Sequence, residues 1–148
     1  MKKPFAVLHA RTFCHATEDL QRVRSALDNA VGKSDINTSK TEGHHGNPIF
    51  ILEAAVEGMD GIDRFFSKLR RTDVGELLSS LSSRVDDSCN LFVRIDKQAA
   101  FKDEIRLGRD DDVISVRVRV RSFPARREVA CVIAREYLEG VLAGAGAQ

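Results

Sequence analysis

The chain lacks the features that mark secreted, membrane-spanning or strongly basic proteins. Its 148 residues contain three cysteines and balance 22 acidic against 23 basic side chains, for a net charge of +1. With no global basic excess, any anion-binding surface must arise by segregation of charge onto one face. No apolar run approaches the roughly 20 residues that span a bilayer. The short apolar segment that precedes Arg11 is not typical of a signal peptide.

The three cysteines are odd in number and widely spaced, at Cys14, Cys89 and Cys131. This pattern does not predict a disulfide framework. It is typical of reduced thiols in a cytoplasmic protein, and among them Cys131 is predicted to be the likeliest to be buried. We therefore expect a cytoplasmic localisation and no membrane partner.

Motifs that would identify an enzyme or a metalloprotein are also missing. Neither G-x-x-x-x-G-K-[ST] nor G-x-G-x-x-G occurs, and the histidines and cysteines lack the spacing of zinc ligands. No nucleophile, base and orienting group can be recognised together. Three consecutive acids, Asp110 to Asp112, are more typical of a solvated turn than of a magnesium site. The sequence thus predicts no cofactor, no metal and no catalytic residue.

The order of predicted elements is β-α-β-β-α-α-β-β-β-α, within a single domain over residues 1–148. Strands are predicted at Phe5–His15, Ile36–Glu42, Ile49–Val56, Leu91–Ile95, Phe101–Leu107 and Val113–Phe123, the last two as a hairpin. Helices are predicted after Thr17, from Asp60, after Thr72 or Asp73, and from about Arg126 to Leu138, with a disordered tail over residues 140–148. This order favours an α+β fold, with a largely antiparallel sheet and helices on one face.

The segment Val116–Arg121 alternates strictly between valine and arginine. Successive strand residues point to opposite faces, so Arg117, Arg119 and Arg121 are predicted to share the face that the helices leave open. Residues on one face repeat at about 6.6–7 Å, a scale similar to that of phosphates along a nucleic acid strand. The guanidinium fork also matches phosphate geometry. Pairing of these arginines with carboxylates on neighbouring strands remains an equal alternative at this point.

Arg94 and Phe92 are in phase with each other on the strand Leu91–Ile95. Arg94 either extends the Arg117–Arg121 stripe or is neutralised by Asp96. Phe92 is the best candidate for stacking on a base, unless a helix covers it. Lys97 is predicted to contact RNA rather than to pair with Asp96, and for Gln98 contact with a base and capping of a turn both remain open.

The loop Gly43–Pro48 combines two glycines with His44, His45 and Asn47. Such a loop can present backbone amides to a phosphate, with the two histidines and the asparagine beside them. A plain turn is an equal interpretation, because asparagine before proline is a common turn sequence.

Four segments in this order resemble an archaeal family of small RNA-binding-domain proteins that are described as predicted exosome subunits. The segments are Phe13–Asp19, Glu42–Ile49, Arg94–Ala100 and Asp111–Ile114. The resemblance implies a variant of the fold of the ribosomal protein that binds 5S rRNA, with a curved antiparallel sheet, and it implies no catalytic set. One departure is Lys102-Asp103, where the family pattern would place a glycine.

We therefore predict a noncatalytic RNA-binding protein, an accessory factor in archaeal RNA processing or degradation. Its predicted partners are RNA phosphates and exosome subunits, and its oligomeric state, including a homodimer, is open. One alternative is an adaptor whose sheet face docks an acidic protein. A further alternative is an enzyme that uses the His44-His45 loop together with Asp96 and Lys97.

Overall fold

One antiparallel sheet organises the computed structural model, which describes residues 3–32, 35–43 and 46–146. Over these residues its strands are β1 (Phe5–Cys14), β2 (Asn37–Glu42), β3 (Pro48–Glu57), β4 (Asn90–Asp96) and β5 (Val113–Val120). Their order across the sheet is β2-β3-β1-β5-β4, and each neighbouring pair is antiparallel. The predicted α+β class is confirmed.

Helices cover one face of this sheet. They are α1 (Leu20–Val31), α2 (Met59–Ser67), α3 (Arg71–Ser79), α4 (Leu81–Arg84), α5 (Lys97–Phe101) and α6 (Arg127–Gly146). Asp19 begins α1, because its carboxylate accepts a hydrogen bond from the Gln21 amide at 3.0 Å. No helix among the described residues is both long and apolar enough to cross a membrane.

The core lies between the helices and the inward-facing side of each strand. In β5, Val116, Val118 and Val120 are buried while the arginines between them are exposed. From β1, the ring of Phe5 packs on Phe66 at 5.6 Å between centroids and on Tyr137 at 4.7 Å. Burial of such large rings contributes much of the apolar area removed from water.

The prediction of a strand at Phe101–Leu107 was wrong. The Asp96 carboxylate accepts from the Ala99 amide at 2.9 Å and thereby starts the short helix α5. After α5 the backbone of Asp103 has φ of 62°, a left-handed conformation that aspartate tolerates better than most residues. This is the place where the family pattern would put a glycine. Strand β5 pairs instead with β4 and β1.

The last helix also differs from its prediction. It continues through Gly146 instead of ending at Leu138. Val141 and Leu142 pack against the core, and the Leu142 carbonyl accepts from Arg71 Nη1 at 3.0 Å. These contacts stabilise the end of α6, although the Gly/Ala-rich composition of this segment alone predicts a frayed end.

The three cysteines are free thiols, as predicted, but the prediction that Cys131 is the likeliest to be buried was wrong. Cys14 and Cys89 are buried, whereas Cys131 on α6 is half-buried. Burial raises the pKa of the Cys14 thiol, and the nearby Glu18 carboxylate raises it further. Both effects disfavour the reactive thiolate at Cys14.

Candidate nucleic-acid interface

Arginines from three strands lie on the open face of the sheet. We call Arg11, Arg94, Arg117 and Arg119 the arginine face; each of the four is exposed. Arg119 and Arg117 follow each other on β5, and the register places Arg11 of β1 and Arg94 of β4 on either side of Ser115. The face therefore crosses three neighbouring strands and is not limited to one.

Most of the arginine face is free of internal ion pairs. Among the described residues, Arg11, Arg117 and Arg119 have no carboxylate oxygen within 4.0 Å. The structure therefore does not show the alternative in which carboxylates of neighbouring strands pair with Arg117 and Arg119 of β5.

Arg94 is the member of the face that has internal partners. Its Nη2 donates to the Asp110 carbonyl at 3.1 Å and lies 3.8 Å from Asp111 Oδ1. The partner predicted from sequence, Asp96, caps α5 instead. Arg94 thus extends the arginine face onto β4, with its charge partly balanced by the acidic turn.

Arg11 did not enter the set predicted from sequence. It is directly opposite Ser115 of β5, and its guanidinium carbon lies 5.2 Å from the centroid of the Phe13 ring. The signal was present in the alternation of β1, where His9, Arg11 and Phe13 are exposed between buried residues. What the sequence did not reveal was that β1 lies beside β5.

The open face has a gradient of charge. Glu53 and Glu57 of β3 are exposed on the same face, on the far side of β1 from β5. The positive side chains therefore collect over β1, β5 and β4, while the acidic ones lie over β3. This segregation supplies a cationic surface on a chain whose net charge is only +1.

Lys97 is buried and lies outside this surface, and its contact with RNA stays a prediction that the geometry does not support. The residue is 3% exposed. Its Nζ donates to the Phe13 carbonyl at 2.9 Å and contacts Glu18 Oε1 at 2.9 Å and Asp112 Oδ1 at 2.8 Å. These three acceptors occupy all three ammonium protons, so none remains for a phosphate.

Gln98 and Asp112, both exposed, complete the network around the buried Lys97. The Gln98 side-chain amide donates to Asp112 Oδ2 at 2.9 Å. Burial raises the pKa of Asp112, but the hydrogen bonds from Lys97 and Gln98 and the lysine charge outweigh it. The net pKa lies below the ordinary value. Contact of the exposed Gln98 with RNA stays a prediction.

Arg121 lies one residue beyond β5. Its amide donates to the Pro4 carbonyl at 2.7 Å and its Nε to the Phe5 carbonyl at 3.4 Å. The side chain is nevertheless exposed. Arg121 is therefore exposed just beyond the end of β5, and its contact with RNA stays a prediction.

The loop between β2 and β3 is only partly described, because His44 and His45 lie outside the described residues. Asn47 is exposed, and its carbonyl accepts from the Gly43 amide at 2.7 Å across the loop. Phe50, just after the loop, pairs with Cys14 at the end of β1. The loop therefore lies at the same end of the sheet as Lys97, and RNA contact by its three polar residues stays a prediction.

A concavity opens in the middle of the exposed sheet face. Its volume is about 520 Å³. The register places His9, Arg117 and Phe92 side by side along one edge of it, and Arg11 and Ser115 side by side in the next row. Phe92 is 41% exposed, so the ring that the sequence left in doubt is accessible.

A family model and a related protein both point to the same protein family. A family model described as RNA binding matches residues 8–120. An RNA-binding protein of Pyrococcus abyssi is 34% identical over 143 residues, which cover 90% of this chain and 93% of that protein. An uncharacterized protein of Methanocaldococcus jannaschii is 32% identical, over 77% of this chain and 83% of that protein.

A solved structure shares the fold. A DUF54 protein from Methanothermobacter thermautotrophicus superimposes with a TM-score of 0.80 at 28% identity, and the match covers 95% of this chain and 99% of that one. The family model matches from within β1 to the end of β5 and includes the whole arginine face. The chain therefore belongs to the RNA-binding protein family that this model describes, whose relatives here are archaeal.

Proposed function

We propose that this protein is a noncatalytic RNA-binding protein that holds phosphates on its arginine face. The observation that carries the proposal is that Arg11, Arg117 and Arg119 are exposed on one open sheet face and, within the described ranges, unpaired with carboxylates. Membership of an RNA-binding family and the name of the Pyrococcus abyssi relative support the choice of RNA as the anion.

The spacing of the arginines suits a chain of phosphates. Arg117 and Arg119 are separated by about 6.6–7 Å along β5, and a residue of the next strand lies about 4.7–4.9 Å to the side. Each guanidinium offers a planar fork of donors to a phosphate. Binding of this kind depends on charge and shape more than on base sequence.

The biological role we propose is that of an accessory factor in RNA processing or degradation in the archaeal cytoplasm, with exosome subunits as further partners. Its support is the ordered set of four segments that resembles the family of predicted exosome subunits. We also propose that the fold is a variant of the fold of the ribosomal protein that binds 5S rRNA.

The first test is the salt dependence of RNA binding by the wild-type protein. Each phosphate neutralised contributes about 0.7–0.9 to the slope of log K against log salt, so three free arginines predict a slope of at least about 2–3. Fluorescence anisotropy with labelled single-stranded and hairpin RNA, over a salt series, measures it. Absence of salt-sensitive binding to either RNA would reject the proposal and favour the protein-adaptor alternative.

A further inference from the structure

The concavity on the open face is built differently from the rest of the cationic surface. Its volume of about 520 Å³ falls within the range of about 300–1,000 Å³ that is usual for small-molecule sites. Its lining includes an aromatic ring, two arginines and two carboxylates: Phe92, Arg11, Arg117, Asp35 and Glu53. A surface that only held phosphates would need neither the ring nor the depth.

Two small side chains account for the depth. Ser115 lies between Arg11 and Arg94 in one cross-strand row, and Ala55 lies beside His9 in the next. Phe92 is directly opposite Arg117 on the neighbouring strand, so a ring and a guanidinium border the same space. An aromatic ring beside a cation is the combination that binds a stacked base together with its phosphate.

We infer that the concavity takes one unpaired RNA base, which stacks on Phe92 while its phosphate binds Arg117. The inference rests on the proposed function, since it names the part of the RNA that this surface selects. A base inside a duplex has both faces covered by its neighbours and cannot stack on a side chain. The protein therefore prefers single strands, loops or bulges over continuous duplex.

The charges on the two sides of the concavity orient the bound nucleotide. Glu53 on β3 repels a phosphate, whereas Arg117 and Arg119 on β5 attract one. The sugar-phosphate backbone accordingly lies over β5, and the base lies over Phe92 of β4, on the side of β5 away from Glu53.

A tryptophan reporter tests the stacking directly. The chain contains no tryptophan, so Phe92→Trp introduces a single indole at the proposed stacking position. We expect its fluorescence to be quenched by a saturating single-stranded oligonucleotide and to be unchanged by an equal amount of blunt duplex RNA. Fluorescence that stays constant while anisotropy reports saturation by the single strand would overturn the inference.

Two uncharged substitutions test the same site: Ser115→Leu fills the concavity, and Phe92→Ala removes its aromatic ring. Each should weaken single-strand binding by about 5- to 150-fold, the effect of losing one stacked base. The salt slope should stay at the wild-type value. Ser39→Leu is the matched control, because Ser39 is exposed on edge strand β2 and does not line the concavity. This variant should bind as wild type does.

These experiments distinguish failure of the base site from failure of the proposed function. If the wild-type protein binds RNA with the expected salt slope but Ser115→Leu and Phe92→Ala both bind as tightly as wild type, the base site is rejected and the phosphate surface stands. If the wild-type protein shows no salt-sensitive binding, the proposed function fails first.

Discussion

Replacing Arg11, Arg117 and Arg119 together with alanine is expected to reduce affinity for single-stranded RNA at low salt by about 100-fold or more. A hydrogen bond to a charged group contributes about 1.5–3 kcal/mol, and these exposed side chains fall toward the lower end of that range. The slope of log K against log salt should decrease by about 2–3, because each lost phosphate contact removes about 0.7–0.9. Anisotropy titrations over a salt series measure both quantities.

The matched control for this variant is Arg64→Ala/Arg126→Ala/Arg135→Ala. It lowers the net charge by the same amount, and its three arginines are exposed, on α2, just before α6 and on α6. If only long-range attraction matters, both triple variants will lose affinity and slope equally, and the arginine face is then not the binding surface. If only the Arg11/Arg117/Arg119 variant loses affinity and slope, the phosphates bind the arginine face. Circular dichroism should show that both variants are folded.

Lys97→Met is expected to lower the free energy of unfolding by about 2–3 kcal/mol. Removing one partner from a buried ion pair typically costs about 3–5 kcal/mol, and here the cost is reduced because Asp112 and Glu18 keep partial access to water. Methionine preserves most of the volume of the lysine stem, so the loss reports the ammonium and its three acceptors rather than a cavity. Urea unfolding at pH 7, followed by circular dichroism, measures the change.

The stabilisation that Lys97 provides should depend on pH in one direction. The pKa of Asp112 is lowered from an ordinary value of 3.8, so its contribution is fully present above that pH. It is lost as the pH falls through the lower folded-state pKa. The difference in stability between wild type and Lys97→Met should therefore narrow on acidification below about pH 3.8. A constant difference would contradict the assigned role of Asp112.

The control for both measurements is Lys102→Met, the same substitution at an exposed lysine just after α5. Surface substitutions of this kind usually change stability by no more than about 0.5 kcal/mol. RNA affinity should be almost unaffected in both lysine variants at neutral pH. Lys97 has no free donor to offer a phosphate.

The fold class and the central part of the candidate site could be predicted from the sequence because their signals are local. In β5, alternation of valine and arginine decides which side chains enter the core, and that decision does not depend on which strands lie alongside. Arg117 and Arg119 were assigned to an open face on that basis, and both are exposed in the structure. The same alternation in β1 predicts that Arg11 is exposed, but only the order of the strands shows that Arg11 lies beside the β5 arginines.

Sequence by itself therefore determined the alternation of the strands, the α+β class and the exposure of the β5 arginines. Tertiary structure decided the rest. Only the register of β1, β5 and β4 brings Arg11, Arg117 and Phe92 around one concavity. The burial of Lys97 likewise depends on acceptors far away in the chain, at Phe13, Glu18 and Asp112, which the sheet and α5 bring within 3 Å of its ammonium. A lysine in a short polar segment gives no local sign of such partners, so its role follows from packing and not from its neighbours in sequence.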